Sequence, residues 1–264
     1  MVKKNKKKYQ EVRSNTNSGI LSFFEKIIRS HPLLYLILRR IIRFTNIFEQ
    51  DANGVKIIKF NKNINLMDVG ASDGIAIKFF IKNLKINKII CFEPDKNYVN
   101  ILKKLSYKNI IIKPYAIGDK NKELNVFFPE YNILGKKFKI VTYCFYDKLS
   151  LSNQISLDFK FRNNIKIIKE KIKIKKFKKI NFSLDLIKID VNGFEYSVIK
   201  GLNQIIKKDK PALIIETGRD IIKIKNFLKK YSYDQFIYLE KSNTFESAAG
   251  KYALNSYFLQ KKHI

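Results

Sequence analysis

Several apolar runs in this 264-residue chain stop on a carboxylate, and the spacing of those acids points to one shared site. The run "INLMDVGASDG" carries Asp68, Gly70 and Gly74 in D-x-G-x-x-x-G spacing, where a strand pattern gives way to a helix. Gly70 allows a sharp turn and a close ligand approach. The helix behind it presents unpaired N–H groups at the positive end of its dipole. Position 72 is Ser and the loop has only two glycines, so it is not the G-x-G-x-x-G of a pyrophosphate site. The next apolar run, "KIICFEP", stops on Glu93, 23 positions beyond Gly70. An acid there can accept hydrogen bonds from both ribose hydroxyls of a nucleoside, and it repels a 2′-phosphate. Asp68 and Glu93 around such a loop suit a nucleoside with a cationic tail, as in S-adenosylmethionine. The plainer alternative is that both acids only cap helices. Farther on, "LDLIKIDVNGFEYSVIKG" stops on Asp190, turns through Asn192-Gly193 and places Glu195 on a helical pattern, while "PALIIET" stops on Glu216.

Acids at strand ends do chemistry together only if the strands lie side by side, and the pattern along the chain supplies that arrangement. From "INLMDV" onward, strand-like and helix-like runs alternate: "GIAIKFFIKNL", "KIICFEP", "KNYVNILKKLS", "NIIIKPYAIGD", then "LDLIKIDV", "FEYSVIKGLNQIIKK", "PALIIET" and "RDIIKIKNFLKKYSY". This alternation predicts an α/β fold with a doubly wound, mostly parallel sheet and helices on both faces. Ligands of such sheets sit beyond the carboxyl ends of the strands. "QFIYLEK" and "NSYFLQ" are expected to close the sheet as a terminal pair with an antiparallel C-terminal strand. Residues 119–183 interrupt the alternation as a basic, strand-rich insertion. Within it "LNVFFPEYN" reads as an edge strand ending at Pro129, and "KIIKEKIKIKKFKKI" as a strand with one buried face and one lysine face. Residues 160–179 hold ten basic side chains against Glu170 alone. They either protect an edge from mispairing or form a rim for an acidic substrate.

Residues 1–18 read as a disordered basic tail, 19–50 as a helical extension and 51–264 as the main domain. In the extension, Pro32 opens a second helix, where its missing N–H has no partner to lose. That helix sets Arg39, Arg40 and Arg43 beside Leu36, Ile37, Ile41 and Ile42. It either packs over the main domain, the commoner arrangement, or lies on an anionic membrane as a peripheral contact through residues 19–48. No run approaches the roughly 18 apolar residues of a membrane span. The N-terminus lacks the apolar segment and cleavage site of an export signal. Cys91 and Cys144 are the only cysteines, which excludes a disulfide framework and suits a reducing cytoplasm. Only seven of the 53 basic residues behind the net charge of +30 are Arg. A nucleic-acid reader favours Arg, so the Lys, Ile and Asn excess is read as AT-rich coding rather than a nucleic-acid site.

"MDVGASDG", "CFEPD", "PYAIGD" and "LIKIDVNGFEYSVIKG" together resemble the FkbM family of S-adenosylmethionine-dependent methyltransferases, over roughly residues 51 to 218. The fourth motif is the specific one. The resemblance implies a Rossmann-like class I methyltransferase fold and O-methylation, typically of a sugar or polyketide hydroxyl. It further implies that the loop Asp68, Gly70, Ala71, Ser72, Asp73 and Gly74 holds the methionine moiety. By the same likeness Glu93 and Pro94 take the ribose end, Ala116 and Ile117 line the adenine, and Asp190 faces the methyl-transfer region. Asn192 departs from the Glu common in the family.

Methyl transfer to a sugar hydroxyl needs an aligned acceptor and a base for its proton. His31 lies in the extension and His263 next to the end, which leaves Asp190, Glu195 and Glu216. Glu195 serves equally well as a first-turn acid that complements a helix dipole. Asp190 and Glu216 are also a two-acid option for Mg²⁺, though two acids make a weak magnesium site. The expected acceptor is a glycan precursor, acidic or lipid-diphosphate-linked. Nucleic-acid methylation is the competing enzymatic reading, and no "NPPY"-type tetrapeptide follows any strand. A non-catalytic, membrane-associated adaptor that keeps only the fold is the third.

Overall fold

The computed structural model describes residues 31–45, 48–133, 135–159, 163–251 and 253–264. The tail over 1–18 and the first predicted helix of the extension lie outside them. At the centre runs β1 (Ile64–Val69), buried along its whole length. Its alternating side chains feed both faces of the sheet: Leu66 joins one core cluster, while Met67 and Val69 join the other. Parallel neighbours flank it, β2 (Ile86–Phe92) on one side and β8 (Leu186–Ile189) on the other. Beyond β2 comes β3 (Ile110–Lys113), and beyond β8 comes β9 (Ala212–Glu216). The predicted terminal pair is present as β10 (Asp234–Leu239) and β12 (Asn255–Leu259). β12 lies antiparallel between β9 and β10. A short strand that the pattern did not announce, β11 (Thr244–Ser247), pairs with the far side of β10.

The two faces carry different helices. On one, α2 (Ile75–Asn83) packs Phe79, Phe80 and Ile77 against Leu66, Leu186 and Ile214. α3 (Lys96–Leu102) joins them through Leu102. On the other, α5 (Glu195–Gly201), α6 (Asn203–Asp209) and α7 (Ile221–Lys229) bury Val198, Ile206, Ile224 and Leu228 over Ile187 and Leu213. The doubly wound layering expected from the sequence is therefore present.

The insertion folds as a second sheet, joined at one edge by β4 (Ala116–Gly118) just before it, in the order β4-β7-β5-β6 with β5 (Lys122–Ile133), β6 (Lys136–Lys139) and β7 (Ile165–Lys176). Helix α4 (Lys148–Asp158) packs beside it. Two expectations change here. β5 is an inner strand, and it runs through Pro129 instead of ending there. The carbonyl of Pro129 accepts from the amide of Ile140 at 2.9 Å, so its ring nitrogen faces that side too and the β5–β7 ladder loses no bond. β7 keeps its lysine face, but β4 joins its free side only over Ile174–Lys176. Helix α1 (Pro32–Thr45) begins on Pro32 as expected. It packs Tyr35 and Leu36 onto the insertion's own cluster of Ile140, Leu151, Ile155 and Phe159, with the Tyr35 hydroxyl 2.8 Å from that of Thr142.

The helix layer of the main sheet meets the second sheet backbone to backbone. A Cβ on Gly201, at the end of α5, would lie 2.3 Å from the carbonyl oxygen of Gly118 in β4. Gly201→Ala gains helix propensity of about 1 kcal/mol, yet the overlap is with backbone that cannot yield. We expect a net loss of about 2 kcal/mol, read as a lower urea midpoint. A midpoint equal to or above wild type would show that the helix layer and the second sheet are not in this contact.

Candidate active site

Strands β1 and β8 adjoin where the order of strand addition reverses, the position at which open α/β sheets bind ligands. Their ends meet closely. Gly70 has φ +86°, and a Cβ there would sit 1.9 Å from the Asp190 carbonyl oxygen, so no other residue fits this crossing. The amides of Gly70 and Ala71 both donate to the Phe92 carbonyl, at 3.0 and 3.3 Å. Glu93 secures the same crossing. Its Oε2 accepts from the Ser72 amide and its Oε1 from the Asp95 amide, each at 2.8 Å. Glu93 is thus a clamp between two loops, whereas the cap of α3 is Asp95. Each Glu93 oxygen keeps a second lone pair for a ligand hydroxyl. Burial raises its pKa to about 7.

Across four neighbouring strands, one face of the sheet turns from apolar to polar at the same level. Asp68 stands directly opposite Lys188 in the β1–β8 register. Asp190 lies two residues on, Glu216 follows Ile214 on β9, and Asn255 pairs with Glu216 from β12. The Lys188 ammonium is buried, 3.0 Å from Asp190 Oδ2 and 3.9 Å from Asp68 Oδ1. Burial opposes its charge, but Asp190, Asp68 and Glu49 outweigh that and hold its pKa above the usual lysine value. Burial raises Asp68 to about 6. Neither Asp68 oxygen nor the buried Ser72 hydroxyl has a hydrogen-bond partner among the described residues. Glu216 hydrogen-bonds Asp190. Burial and the charges of Asp190, Glu195 and Glu49 push its pKa well up.

Glu195 has a structural task. Its Oε1 accepts from the amides of Gly193 (2.7 Å) and Val191 (3.2 Å), closing the turn after Asp190. Asn192 occupies that turn at φ +51°, a conformation Asn tolerates better than Glu. Asp73 is buried beside Gly74, the N-cap of α2. Pro94 continues the chain from Glu93 to Asp95. Ala116 and Ile117 belong to the second sheet, where Ile117 is buried in the same cluster as Phe92. The chain thus brings Asp68, Gly70, Asp190, Glu195 and Glu216 together. Among the described residues His31 stays apart against Tyr131, and His263 donates no group to the cluster, being bonded to the Gln260 amide.

Four residues at this site were not singled out in the sequence. Lys188 left a visible signal, a lone lysine inside the buried run "LIKID". Glu49 left none: it reaches the cluster from the segment before β1 and is held by Asn255 Nδ2 at 2.8 Å. Burial, with Asp190 and Asp51 nearby, raises it to about 7. Tyr146 comes from the insertion and touches the Gly193 turn. Its buried hydroxyl lacks a partner among the described residues, and the Arg219 guanidinium stands 4.5 Å over its ring.

A sheet of this strand order, with one antiparallel strand set between β9 and β10 and acids on the central strand ends, is that of a class I methyltransferase. The family model described as the methyltransferase FkbM domain matches residues 68–235, and the chain belongs to that family. No curated protein matches the sequence. Among solved structures, the methyltransferase FkbM of Methylobacillus flagellatus KT is 16% identical, with a TM-score of 0.47 over 76% of this chain and 45% of that one. The present chain therefore spans less than half of that relative. The precorrin-6y C5,15-methyltransferase of Geobacter metallireducens GS-15 is 12% identical, with a TM-score of 0.38 over 79% and 84% of the two chains. TrmK of M. capricolum, solved with S-adenosylhomocysteine, is 12% identical, with a TM-score of 0.39 over 82% and 70%.

The raised pKa of Glu195, about 7 by burial, makes a pH signature. Because the folded pKa lies above the unfolded one, this group's contribution is fully present below about pH 4.5 and is lost as pH rises through 7. Glu195→Gln keeps a carbonyl acceptor for the two amides, so the urea midpoints of that variant at pH 5 and pH 7.5 are expected to lie closer together than in wild type. Glu195→Ala orphans both amides and should cost about 2 kcal/mol at either pH. An unaltered pH dependence in Glu195→Gln would remove the buried-acid account.

Proposed function

We propose that this chain is an S-adenosylmethionine-dependent O-methyltransferase that acts on a sugar hydroxyl of a glycan precursor in the cytoplasm. The observation that carries the reading is the half-exposed Asp190 carboxylate at the end of β8, 31% accessible, with buried Lys188 behind it. The bound cofactor supplies a methyl group on a sulfonium that is already a good leaving group. Its fit rests on the orphaned Asp68 carboxylate beside the Gly70 turn, which suits a cationic group, and on the free lone pairs of Glu93, which suit ribose hydroxyls. Ala71, Ser72, Asp73 and Gly74 complete the loop at the cationic end. Pro94, Ala116 and Ile117 are the candidates beside the nucleoside.

The Lys188 ammonium 3.0 Å away favours the ionised form of Asp190, the form that takes the proton from an attacking hydroxyl. Glu216 bonds Asp190, which fixes the orientation of that carboxylate. Glu195 shapes the turn. Arg219 and Tyr146 bring a cation and a hydroxyl to the same turn, on the side where an acceptor would enter. The acid pair does not fit Mg²⁺: the Lys188 ammonium already lies 3.0 Å from the Asp190 carboxylate, and two acids alone make a weak magnesium site. Accordingly, treatment with EDTA followed by dialysis should leave transfer within about twofold of the starting rate.

The test is incubation with methyl-labelled S-adenosylmethionine and glycan fractions from the source cell, followed by mass spectrometry. Asp190→Asn should lower transfer by about 100-fold or more while cofactor affinity stays within about threefold. Glu93→Ala should weaken cofactor binding by about tenfold. Unchanged turnover in Asp190→Asn would remove Asp190 as the base. Faster labelling of RNA than of glycan at physiological salt would overturn the acceptor class.

A further inference from the structure

A second concave site lies away from the acid cluster, on the sheet face formed by β2 and β3. A doubly wound fold covers such a face with a crossover helix. Here the cover is β4, the end of β7 and the loop that follows it, and together they leave an open groove of about 780 Å³. That is the size range of small-molecule pockets. Ile90, Phe92, Ile117 and Ile174 are buried beneath the groove, and the half-buried Tyr115, Phe177 and Ile180 give its floor an apolar surface.

Seven lysines stand around that floor, from Lys113 on β3 to Lys179 in the loop after β7, against Glu123 as the one carboxylate. Glu123 is itself engaged outside the groove by Lys171 at 3.5 Å. Among the described residues none of the seven lysines closes an ion pair, so seven cations share one concavity with a single carboxylate that is engaged elsewhere. A concave, apolar-floored site that leaves this much like charge uncompensated is organised for an anion, because its lysines repel one another until one arrives.

The floor narrows the class of anion. Single-stranded nucleic acid needs open aromatic faces on which bases stack. Tyr115, however, has Lys175 Nζ over its ring at 4.2 Å, and Phe92 is buried with edge contacts to Tyr115 (5.7 Å) and Phe177 (6.1 Å). An apolar surface ringed by ammonium groups instead fits the C–H face of a sugar whose phosphates reach the rim. We infer that the groove between β2–β3 and the β7 end is a binding site for a phosphate-bearing sugar. Identifying that ligand with the methyl acceptor rests on the sugar O-methylation reading. Binding is therefore measured apart from transfer.

Calorimetry on the full chain in 0.15 M salt, with glucose 1-phosphate and inorganic phosphate as probes, tests it. The sugar phosphate should bind saturably and more tightly than inorganic phosphate. The triple variant Lys113→Ala, Lys175→Ala, Lys178→Ala should weaken it by about tenfold or more. A control triple variant at exposed positions elsewhere, Lys207→Ala, Lys225→Ala, Lys241→Ala, should change it by less than about twofold. Equal losses in both variants would reduce the effect to net charge and overturn the proposal, as would absence of saturable binding or tighter binding of oligouridylate. If the groove variant does not fold, reductive methylation of the wild-type lysines decides instead: glucose 1-phosphate should protect the groove lysines selectively, and uniform protection would overturn the site. A nucleotide sugar and vesicles bearing a polyisoprenyl diphosphate sugar then distinguish a soluble from a lipid-linked source. Cofactor affinity in the groove variant stays at the wild-type value, so loss of this site and loss of the methyltransferase reading give different results.

Discussion

The Lys188 ammonium is the charge around which the catalytic end of the sheet is arranged. It is the next-to-last residue of a central strand, with its side chain 3% exposed. An isolated ion in such a place costs several kcal/mol of lost hydration. Two carboxylates offset that cost, and the sheet supplies both. Asp68 is its direct neighbour in the parallel register, and Asp190 follows it by two residues on the same face. A slip of one residue between β1 and β8 would turn one of these groups to the opposite, apolar core and leave the others uncompensated. The ion triad and the register of the two central strands therefore specify each other.

One cation cannot neutralise every acid at this level of the sheet. Asp68, Asp190 and Glu49 lie within its influence, Glu216 adjoins Asp190, and Asp68, Glu216 and Glu49 have raised pKa values, chiefly through burial. The cluster consequently retains protons that separate carboxylates would release. The strongest ion-pair contact, at 3.0 Å, goes to Asp190, the most exposed end of the triad. The member nearest solvent thus has the contact that most favours its ionised form, while burial favours the protonated form of the deeper acids.

What the sequence revealed of this site follows from the same geometry. Strand ends were legible because each apolar run changes character at one level: Val69 after Asp68, Pro94 after Glu93, Val191 after Asp190, Thr217 after Glu216. The layering of the fold followed from the alternation of those runs. Groups that reach the cluster from irregular chain were not legible. Glu49 belongs to no periodic pattern, and its position depends on Asn255, more than two hundred residues away in the chain. Tyr146 depends on how the insertion folds back. The run around Pro129 misled because a proline usually stops a ladder, whereas here its nitrogen points away from the partner strand. Glu195 had two readings in the sequence, and the hydrogen bonds to Val191 and Gly193 give it a structural role.

The lysine excess shows the limit of composition as a guide and how position goes beyond it. A chain with a net charge of +30 carries lysine on every surface, so abundance by itself distinguishes no face. Clustering does. On β7 the lysines alternate with isoleucines, and those near the start of the strand face open solvent, where mutual repulsion is screened over about 8 Å at physiological salt. At the end of the same strand, Lys173, Lys175 and Lys176 line one concavity with Lys113 of the main sheet. The same residue type in the same strand thus changes from a dispersed charge to one of a cluster where the missing crossover helix leaves the sheet uncovered.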